Sequence, residues 1–387
     1  MKIKLHELKK STKILLLLIL VSSISTGAYF LIRIISFPTY EFEEGLMFNQ
    51  DIFSAGDEGY ACYRIPALLV LPDDTILAFS EARKDSCSDY GNIDLVMKTS
   101  EDEGHTWSSL QIVWDADDLS VQNPMPVYIP NTDMILLGCV LNRTTQYLLN
   151  STDNGTTWSA PRDILDFKPD GWEFFGCSPG HGIQLESGRV LFASMYRTAF
   201  ENGDWGSFFI YSDDYGVTWE KGHVFHTEFN ECLSVELVNG SVYTILRKNR
   251  GIENENYVHK SISNDEGETS SEPQKVEGLV TPVCQASIIR FTDNISYSKN
   301  RILFSNPANL ERNRFTIKMS MDECQTWGIE KLIYKGPSAY SDMGILSDKT
   351  ICCVFERGQR GAYEKISFIQ LNITGLSDGT DQLIINL

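Results

Sequence analysis

The chain has few positive charges and lacks the features that mark zinc-binding or helical-repeat proteins. It contains 33 Lys and Arg against 52 Asp and Glu, and the net charge of -19 argues against nucleic acid or an anionic membrane surface as a partner. No Cys-x-x-Cys pair indicates a zinc site, and no segment is low in complexity. Long runs of 3.6-residue apolar periodicity, which a solenoid of helix pairs needs, are also lacking. With 42% hydrophobic residues, the chain can still bury a large core.

The most regular feature is a repeated motif, Ser-x-Asp-x-Gly-x-Thr-Trp. Three good copies begin at residues 100, 151 and 212, and two degenerate copies begin at 263 and 320. Ser and Asp side chains bond to nearby backbone amides and Gly supplies a positive φ, so each copy predicts a tight turn. The spacing of 51 to 61 residues fits one four-stranded propeller blade. We therefore predict an all-β fold, a six-bladed β-propeller, over residues 37–387.

The same motif also looks like the start of a calcium-binding loop. However, its first position is Ser in every copy, and no Glu recurs at the position that a twelve-residue calcium loop requires. The turn interpretation is therefore favoured. No metal ion and no cofactor are predicted.

The N-terminal segment predicts a membrane anchor. Residues 14–32 are 19 residues without a charge, just enough to span a bilayer. Five lysines precede this segment and one arginine follows it, which places residues 1–13 in the cytoplasm. We predict a hydrophobic helix acting as a signal anchor within residues 14–36, with a cleaved signal peptide as the alternative. Either way the body of the protein is extracytoplasmic, where some of the nine cysteines can form disulfides in a pattern that the sequence does not reveal.

Three arginines lie at or near the ends of predicted strands. Arg64 belongs to the segment CYRIPALLVL, Arg247 ends VYTILR, and Arg312 lies just ahead of the fifth repeat. Each one alone is most simply a solvated or paired surface charge. If the three converged on the centre of a propeller, they would form a bidentate clamp for a carboxylate. Spacing alone does not establish that convergence.

The segment YRIP at residues 63–66, followed by repeats at this spacing, resembles the non-viral exo-sialidases (neuraminidases). The resemblance covers about residues 50–370 and implies a six-bladed propeller that removes terminal sialic acid from sialylated glycoconjugates. It also implies a role for eight residues. These are Asp89 as acid/base, Tyr340 as nucleophile with Glu231 as its partner, Arg64, Arg247 and Arg312 as the carboxylate-binding triad, Arg83 as a pocket arginine, and Glu356 as the carboxylate that orients Arg64.

The chemistry of sialic acid explains this combination of residue types. Its carboxylate lies on the anomeric carbon and would repel an anionic attacker, whereas a neutral tyrosine can approach. A tyrosine hydroxyl with a pKa of about 10 is a poor nucleophile and needs a base, here Glu231. Asp89 would protonate the leaving oxygen and later activate water, so the configuration would be retained.

Three questions stay open at the level of sequence. The third triad arginine is Arg312 by the family pattern, although Arg314 is its near neighbour. A trans-sialidase shares the same pocket but passes sialic acid to another sugar. The second alternative function is that of a lectin, a catalytically inactive propeller that binds sialoglycans. The presence of Asp89, Glu231 and Tyr340 together argues against it.

Overall fold

The computed structural model describes residues 38–164, 168–199 and 203–386. The predicted cytoplasmic tail, residues 1–13, and the predicted anchor helix, residues 14–36, lie outside these ranges, so the anchor stays a prediction. No helix within the described ranges combines the length and the apolar character needed to cross a membrane.

The described chain is an all-β structure with 24 strands and one turn of α-helix. The strand β1 (Phe48–Ser54) is followed by a short 3-10 turn (Asp57–Gly59) and then by five groups of strands. The first sheet contains β2 (Cys62–Val70), β3 (Ile76–Arg83), β4 (Ile93–Ser100) and β5 (Gln111–Trp114). The second sheet contains β6 (Val121–Ile129), β7 (Met134–Leu141), β8 (Thr145–Ser151) and β9 (Arg162–Asp163).

The remaining strands form three further sheets. The third contains β10 (Phe174–Cys177), β11 (Ile183–Gln184), β12 (Val190–Arg197), β13 (Trp205–Ser212) and β14 (Glu220–Val224). The fourth contains β15 (Phe229–Glu236), β16 (Val242–Lys248), β17 (Tyr257–Ser263) and β18 (Gln274–Val280). The fifth contains β1 together with β19 (Ser287–Thr292), β20 (Arg301–Pro307), β21 (Asn313–Ser320), β22 (Ile329–Ile345), β23 (Ile351–Arg357) and β24 (Lys365–Leu371), after which α1 (Ile373–Leu376) ends the regular structure.

The prediction of a six-bladed propeller is wrong for the described residues, which form four smaller sheets and one sheet of seven strands. The cause is β22, a strand of 17 residues that pairs with β21 through its first half and with β23 through its second. Gly336 and Pro337 lie in the middle of β22 and normally interrupt a strand. The strand nevertheless continues through both residues, and it joins what the six-bladed prediction counts as two separate blades.

The five sheets are arranged in a closed, propeller-like ring. β2 contacts both β6 and β22, β6 contacts β11, β12 contacts β15, and β19 contacts both β15 and β22. Each sheet is thus packed between two others, which explains why the inner strands are buried on both faces. All eight residues of β3 are buried, whereas the outer strand β5 has no buried residue.

The repeated motif forms a turn between two consecutive strands, as its composition predicts. In the first four sheets these are the last two strands, and in the fifth sheet the motif joins β21 to β22. In the second copy, the Ser151 hydroxyl donates to Asp153 Oδ1 at 2.7 Å and accepts from the Gly155 amide at 2.9 Å. Asp153 also accepts from the amide of Thr157 at 2.9 Å and from its hydroxyl at 2.6 Å. The same hydrogen bonds recur in the other four copies, including the one in which Cys324 replaces the glycine.

The glycine of the motif has both a conformational and a packing role. Gly104 has a φ of +93°, and a Cβ at this position would lie 2.3 Å from the Phe368 ring of the fifth sheet. A side chain there would both strain the backbone and collide with the neighbouring sheet. The turn therefore helps to hold adjacent sheets together.

The repeats lie far from the arginines that the sequence singled out. In the first sheet Ser100 pairs with Ile76 at the start of β3, whereas Arg83 is at its other end, about 20 Å away at the usual rise of a strand. In the fourth sheet Ser263 pairs with Val242 at the start of β16, away from Arg247. The turns and the candidate site are consequently on opposite faces of the ring.

We expect Asp214→Ala to destabilise the fold without changing ligand binding. Asp214 accepts three hydrogen bonds from Ser212 and Thr218 within its turn, and losing them should lower the free energy of unfolding by about 1 kcal/mol. Thermal and urea denaturation would measure the effect, with Asp170→Ala, at an exposed carboxylate, as the control. Equal stability of the two variants would contradict the structural role of the motif.

Candidate active site

A buried glutamate connects the first sheet to the fifth beneath the candidate site. Glu356 on β23 has no exposed surface, and its carboxylate accepts from Arg64 Nε at 2.9 Å and from Arg64 Nη2 at 3.2 Å. The same carboxylate accepts the backbone amides of Ile65 at 2.9 Å and of Tyr340 at 3.1 Å. It thereby holds one guanidinium and the strand that carries Tyr340, and the contact with Arg64 is the one that the family resemblance implies.

The YRIP segment produces a local distortion that aims Arg64. Ile65 has a φ of +57°, which is unusual for a β-branched residue, and the pairing of β2 with β3 shifts register here. Asn123, which also precedes a proline, repeats this arrangement with a φ of +55°. The amide of Ile65 donates to Glu356, and that of Asn123 donates to Glu81 at 2.9 Å. At both places the unusual backbone is held by a buried glutamate that also binds an arginine.

The loop that carries Asp89 is held in place by hydrogen bonds from Arg83 and by a disulfide. Arg83 donates to Glu81 Oε2 at 2.6 Å, to the carbonyl of Cys87 at 2.6 Å and to Asp89 Oδ1 at 2.8 Å. A disulfide joins Cys62 at the start of β2 to Cys87, two residues before Asp89. The Asp89 side chain is still 61% exposed, so it is held in place yet open to a ligand.

Tyr340, Glu231 and Arg247 form a hydrogen-bonded group at the centre of the site. The Tyr340 hydroxyl donates to Glu231 Oε1 and accepts from Arg247 Nη1 at 2.9 Å, and Arg247 also forms an ion pair with Glu231 Oε2. All three side chains are largely buried, with 18% of the Arg247 side chain exposed. Residues that are 109 positions apart in the chain thus place a hydroxyl directly against a carboxylate.

The structure places Arg312, and not Arg314, beside this group. The Arg312 guanidinium lies 5.5 Å from the centre of the Tyr340 ring, donates to the Tyr363 hydroxyl at 2.6 Å and donates to the Val283 carbonyl at 3.3 Å. Arg314 is exposed. With Arg64 at 5.1 Å from the same ring, three arginines from the first, fourth and fifth sheets surround Tyr340.

The protonation states follow from these neighbours. Burial and the adjacent Glu231 carboxylate raise the pKa of Tyr340 well above its usual value, so the hydroxyl is neutral at ordinary pH. Partial burial raises the pKa of Asp89, but the Arg83 and Arg64 guanidinium groups outweigh it and hold this pKa below its usual value. Arg64 Nη1 lies 3.6 Å from Asp89.

Sequence reasoning missed several parts of this site. Glu81 and Tyr363 have no motif that distinguishes them from other buried residues, yet Glu81 orients Arg83, and the Tyr363 ring lies 4.0 Å from the Arg64 guanidinium. The pairing of Cys62 with Cys87 was not readable from spacing. No group of three or more His, Cys, Asp or Glu that could hold a metal ion occurs in the ranges described. The other cysteines are buried and have free thiols: Cys139, Cys177, Cys232, Cys284, Cys324, Cys352 and Cys353.

Comparison with known proteins agrees with the sequence pattern. Residues 74–353 match the family model described as a BNR repeat-like domain. The chain is 31% identical to a sialidase of Micromonospora viridifaciens over 81% of this chain and 53% of that protein. It is 26% identical to Sialidase-3 of Mus musculus over 83% of this chain and 93% of the relative.

A solved sialidase structure has a fold similar to that of this chain. The Hadza microbial sialidase Hz136 superposes with a TM-score of 0.77 at 25% identity, covering 85% of this chain and 69% of the other. The chain spans only 53% and 61% of the lengths of its bacterial relatives from Micromonospora viridifaciens and Bacteroides fragilis. The resemblance to the non-viral exo-sialidases is confirmed by these relatives, and the chain belongs to the BNR repeat-like domain family.

Proposed function

We propose that this protein is an exo-α-sialidase that hydrolyses terminal sialic acid from glycoconjugates, with retention of configuration and a tyrosyl-enzyme intermediate. The observation that carries the proposal is the hydrogen bond from Tyr340 to Glu231 in the middle of three arginines. A monoanionic sugar with its carboxylate on the reacting carbon is complementary to this arrangement. The sialidase relatives support the same reaction class.

Binding would begin with the substrate carboxylate. Arg64, Arg247 and Arg312 present guanidinium groups around Tyr340, and a guanidinium matches a carboxylate bidentately. Fixing the carboxylate fixes the anomeric carbon to which it is attached. This positioning brings that carbon towards the Tyr340 hydroxyl, converting a bimolecular attack into a local one.

The first chemical step would form the tyrosyl-enzyme. Glu231 accepts the phenolic proton, the Tyr340 oxygen forms a bond to the anomeric carbon, and the bond from that carbon to the leaving oxygen breaks as Asp89 protonates this oxygen. In the second step Asp89, now a carboxylate, removes a proton from water. The water oxygen attacks the anomeric carbon, the bond to Tyr340 breaks, and Glu231 returns the proton to the tyrosine.

Electrostatics explain why a tyrosine suits this reaction. The high pKa of Tyr340 keeps it neutral until Glu231 accepts its proton, so the attacking oxygen itself carries no negative charge towards the substrate carboxylate during binding. Arg247 contacts both the tyrosine oxygen and Glu231, so it can balance the charge that shifts between them.

Tyr340→Phe and Asp89→Asn should each lower kcat on a fluorogenic sialoside, by about a thousandfold. The first variant removes the attacking oxygen and the second removes the proton donor. Tyr243→Phe is the matched control, because this buried tyrosine hydroxyl has no hydrogen-bond partner among the described residues. Full activity of Tyr340→Phe would contradict the nucleophile assignment, and binding without release by folded wild type would favour the lectin.

The product distinguishes hydrolysis from transfer. Hydrolysis predicts free sialic acid as the product even when lactose is supplied as an acceptor. Sialyllactose as the main product would instead identify a trans-sialidase. Chromatography of the reaction mixture separates the two outcomes.

Arg312→Lys should lower kcat/KM by about tenfold or more, because a lysine cannot form the bidentate contact with the substrate carboxylate. Arg314→Lys should leave kcat/KM unchanged, since Arg314 is exposed and outside the group around Tyr340. Steady-state kinetics on one sialoside compares them directly. The reverse ranking would assign the third triad position to Arg314.

The pH dependence should differ between free and substrate-bound enzyme. Asp89 must be protonated to act as an acid, and in the free enzyme Arg83 and Arg64 hold its pKa low. A bound carboxylate neutralises part of this positive charge and raises that pKa, so the basic limb of kcat should lie at higher pH than the basic limb of kcat/KM. Coincident limbs in the two pH profiles would contradict this electrostatic coupling.

A further inference from the structure

An exposed aromatic residue stands next to the proposed acid/base. Tyr90 directly follows Asp89 and is 70% exposed. The guanidinium of Arg143 lies 4.0 Å from the centre of its ring, so the two side chains form a stacked pair. This Tyr90–Arg143 pair joins the Asp89 loop to the hairpin between β7 and β8.

The backbone of that hairpin is unfavourable for an arginine. The turn is closed by a hydrogen bond of 3.0 Å from the Thr144 amide to the Leu141 carbonyl, and its two central residues, Asn142 and Arg143, have φ values of +49° and +56°. Such a turn favours Asn followed by Gly, because both central residues have positive φ. Asn142 fits this preference, whereas Arg143 occupies the position that suits glycine. Local strain of this kind is common at functional sites.

The turn is also held in place against the first two sheets. The Asn142 amide donates to the Ser120 carbonyl at 2.7 Å. Ser120 in turn forms an isolated parallel β-bridge with Ile93, which lies at the end of the Asp89 loop. Gln122 donates to the Asp89 carbonyl at 3.2 Å. The position of Arg143 relative to Asp89 is therefore set by the fold.

The Arg143 guanidinium forms no ion pair among the described residues, in contrast to a comparable arginine elsewhere, and its charge acts on Asp89 only through space, where it helps to lower the pKa of that carboxyl. Arg189 stacks on Tyr211 at 3.9 Å, but its N–H groups donate to Asp213 at 2.7 and 2.9 Å and to other carboxylates. For Arg143, no ion pair and no side-chain hydrogen bond occur within the part of the chain that the structure describes. In a chain with a net charge of -19, an unneutralised cation is available to an anionic ligand.

We propose that the Tyr90–Arg143 pair binds the sugar that leaves, and that it favours leaving sugars carrying an anionic group. This inference rests on the proposed function, in which Asp89 protonates the leaving oxygen and the leaving sugar therefore lies on the Asp89 side of the site. The exposed Tyr90 ring gives that sugar a flat surface. The Arg143 guanidinium gives its anion a planar set of donors, which suits the carboxylate of a second sialic acid or a sulfate ester.

The test compares three substrates that share the same terminal sialic acid. In a disialic acid the leaving sugar is a second sialic acid, and in a sulfated sialyllactose it is lactose with a sulfate ester on its galactose. In plain sialyllactose the leaving sugar is neutral lactose. For each, kcat/KM is measured with wild type, Arg143→Gly, Tyr90→Ala and Arg189→Gln. For each enzyme, the kcat/KM of an anionic substrate is divided by the kcat/KM of sialyllactose, which cancels effects of enzyme concentration. Comparing this ratio with the wild-type ratio then cancels effects of linkage.

We expect Arg143→Gly to lower kcat/KM by about tenfold, mainly through KM, for a substrate whose leaving sugar is anionic. The loss should be smaller for plain sialyllactose, whose leaving sugar is neutral. The melting temperature of this variant should not fall, because glycine suits the positive φ of the turn. Tyr90→Ala should lower kcat/KM for all three substrates. Arg189→Gln, which removes a stacked arginine at the other face, should keep the wild-type ratios.

The outcomes separate the two proposals. A selective loss with the disialic acid alone identifies a carboxylate as the preferred anion, and a selective loss with the sulfated substrate alone identifies sulfate; both support the inference. Equal changes in all three substrates, or none, in Arg143→Gly overturn it while hydrolysis stands. If wild type releases sialic acid from none of them, the sialidase assignment and this inference both fail.

Discussion

The candidate site depends on one buried carboxylate, that of Glu356. It binds Arg64 and the backbone of Ile65 in the first sheet, and it binds the Tyr340 amide in the fifth. Arg64 and Glu356 are 292 residues apart in the sequence, so this contact forms only when the ring of sheets closes. A buried charge of this kind is tolerable only when fully paired, and removing either partner would leave the other unsatisfied. Closure of the fold and assembly of the site are therefore the same event.

The candidate site is locally positive although the chain as a whole is acidic. The net charge is -19, yet Arg64, Arg247 and Arg312 surround Tyr340. Each arginine is held by a polar partner behind or beside the pocket, while part of its guanidinium can face a ligand. The acidic background repels anions elsewhere on the surface, so under the proposed function the three arginines select their anionic substrate by geometry as well as by charge.

Some of this could be predicted from the sequence, because local chemistry decided it. The repeats predicted their own turns, since the Ser, Asp and Gly that form each turn lie within five residues of one another. The number of sheets could not be predicted in the same way. The repeat spacing predicted separate blades, but pairing with β21 on one side and β23 on the other keeps β22 continuous through Gly336 and Pro337. Tertiary pairing thus overruled the repeat spacing.

The site shows the same division between local and long-range information. The family resemblance identified the eight candidate residues, and the structure brings all of them together. Glu81 and Tyr363 could not be found from sequence, because each matters only through an arginine that the fold places beside it. The stacking of Arg143 on Tyr90 is likewise invisible in the sequence, although an arginine in the glycine position of a turn was a signal that could have been noticed.

The central claim, that Tyr340 forms a covalent bond to the sugar, can be tested by trapping the intermediate. A sialic acid with fluorine at the anomeric carbon and at the adjacent carbon should form the tyrosyl-enzyme and hydrolyse it slowly. Intact-mass and peptide mass spectrometry should then find one sugar per chain, attached to Tyr340 and absent in Tyr340→Phe. A sugar attached to Glu231 or Asp89, or no adduct in an enzyme that releases sialic acid from natural substrates, would contradict the account.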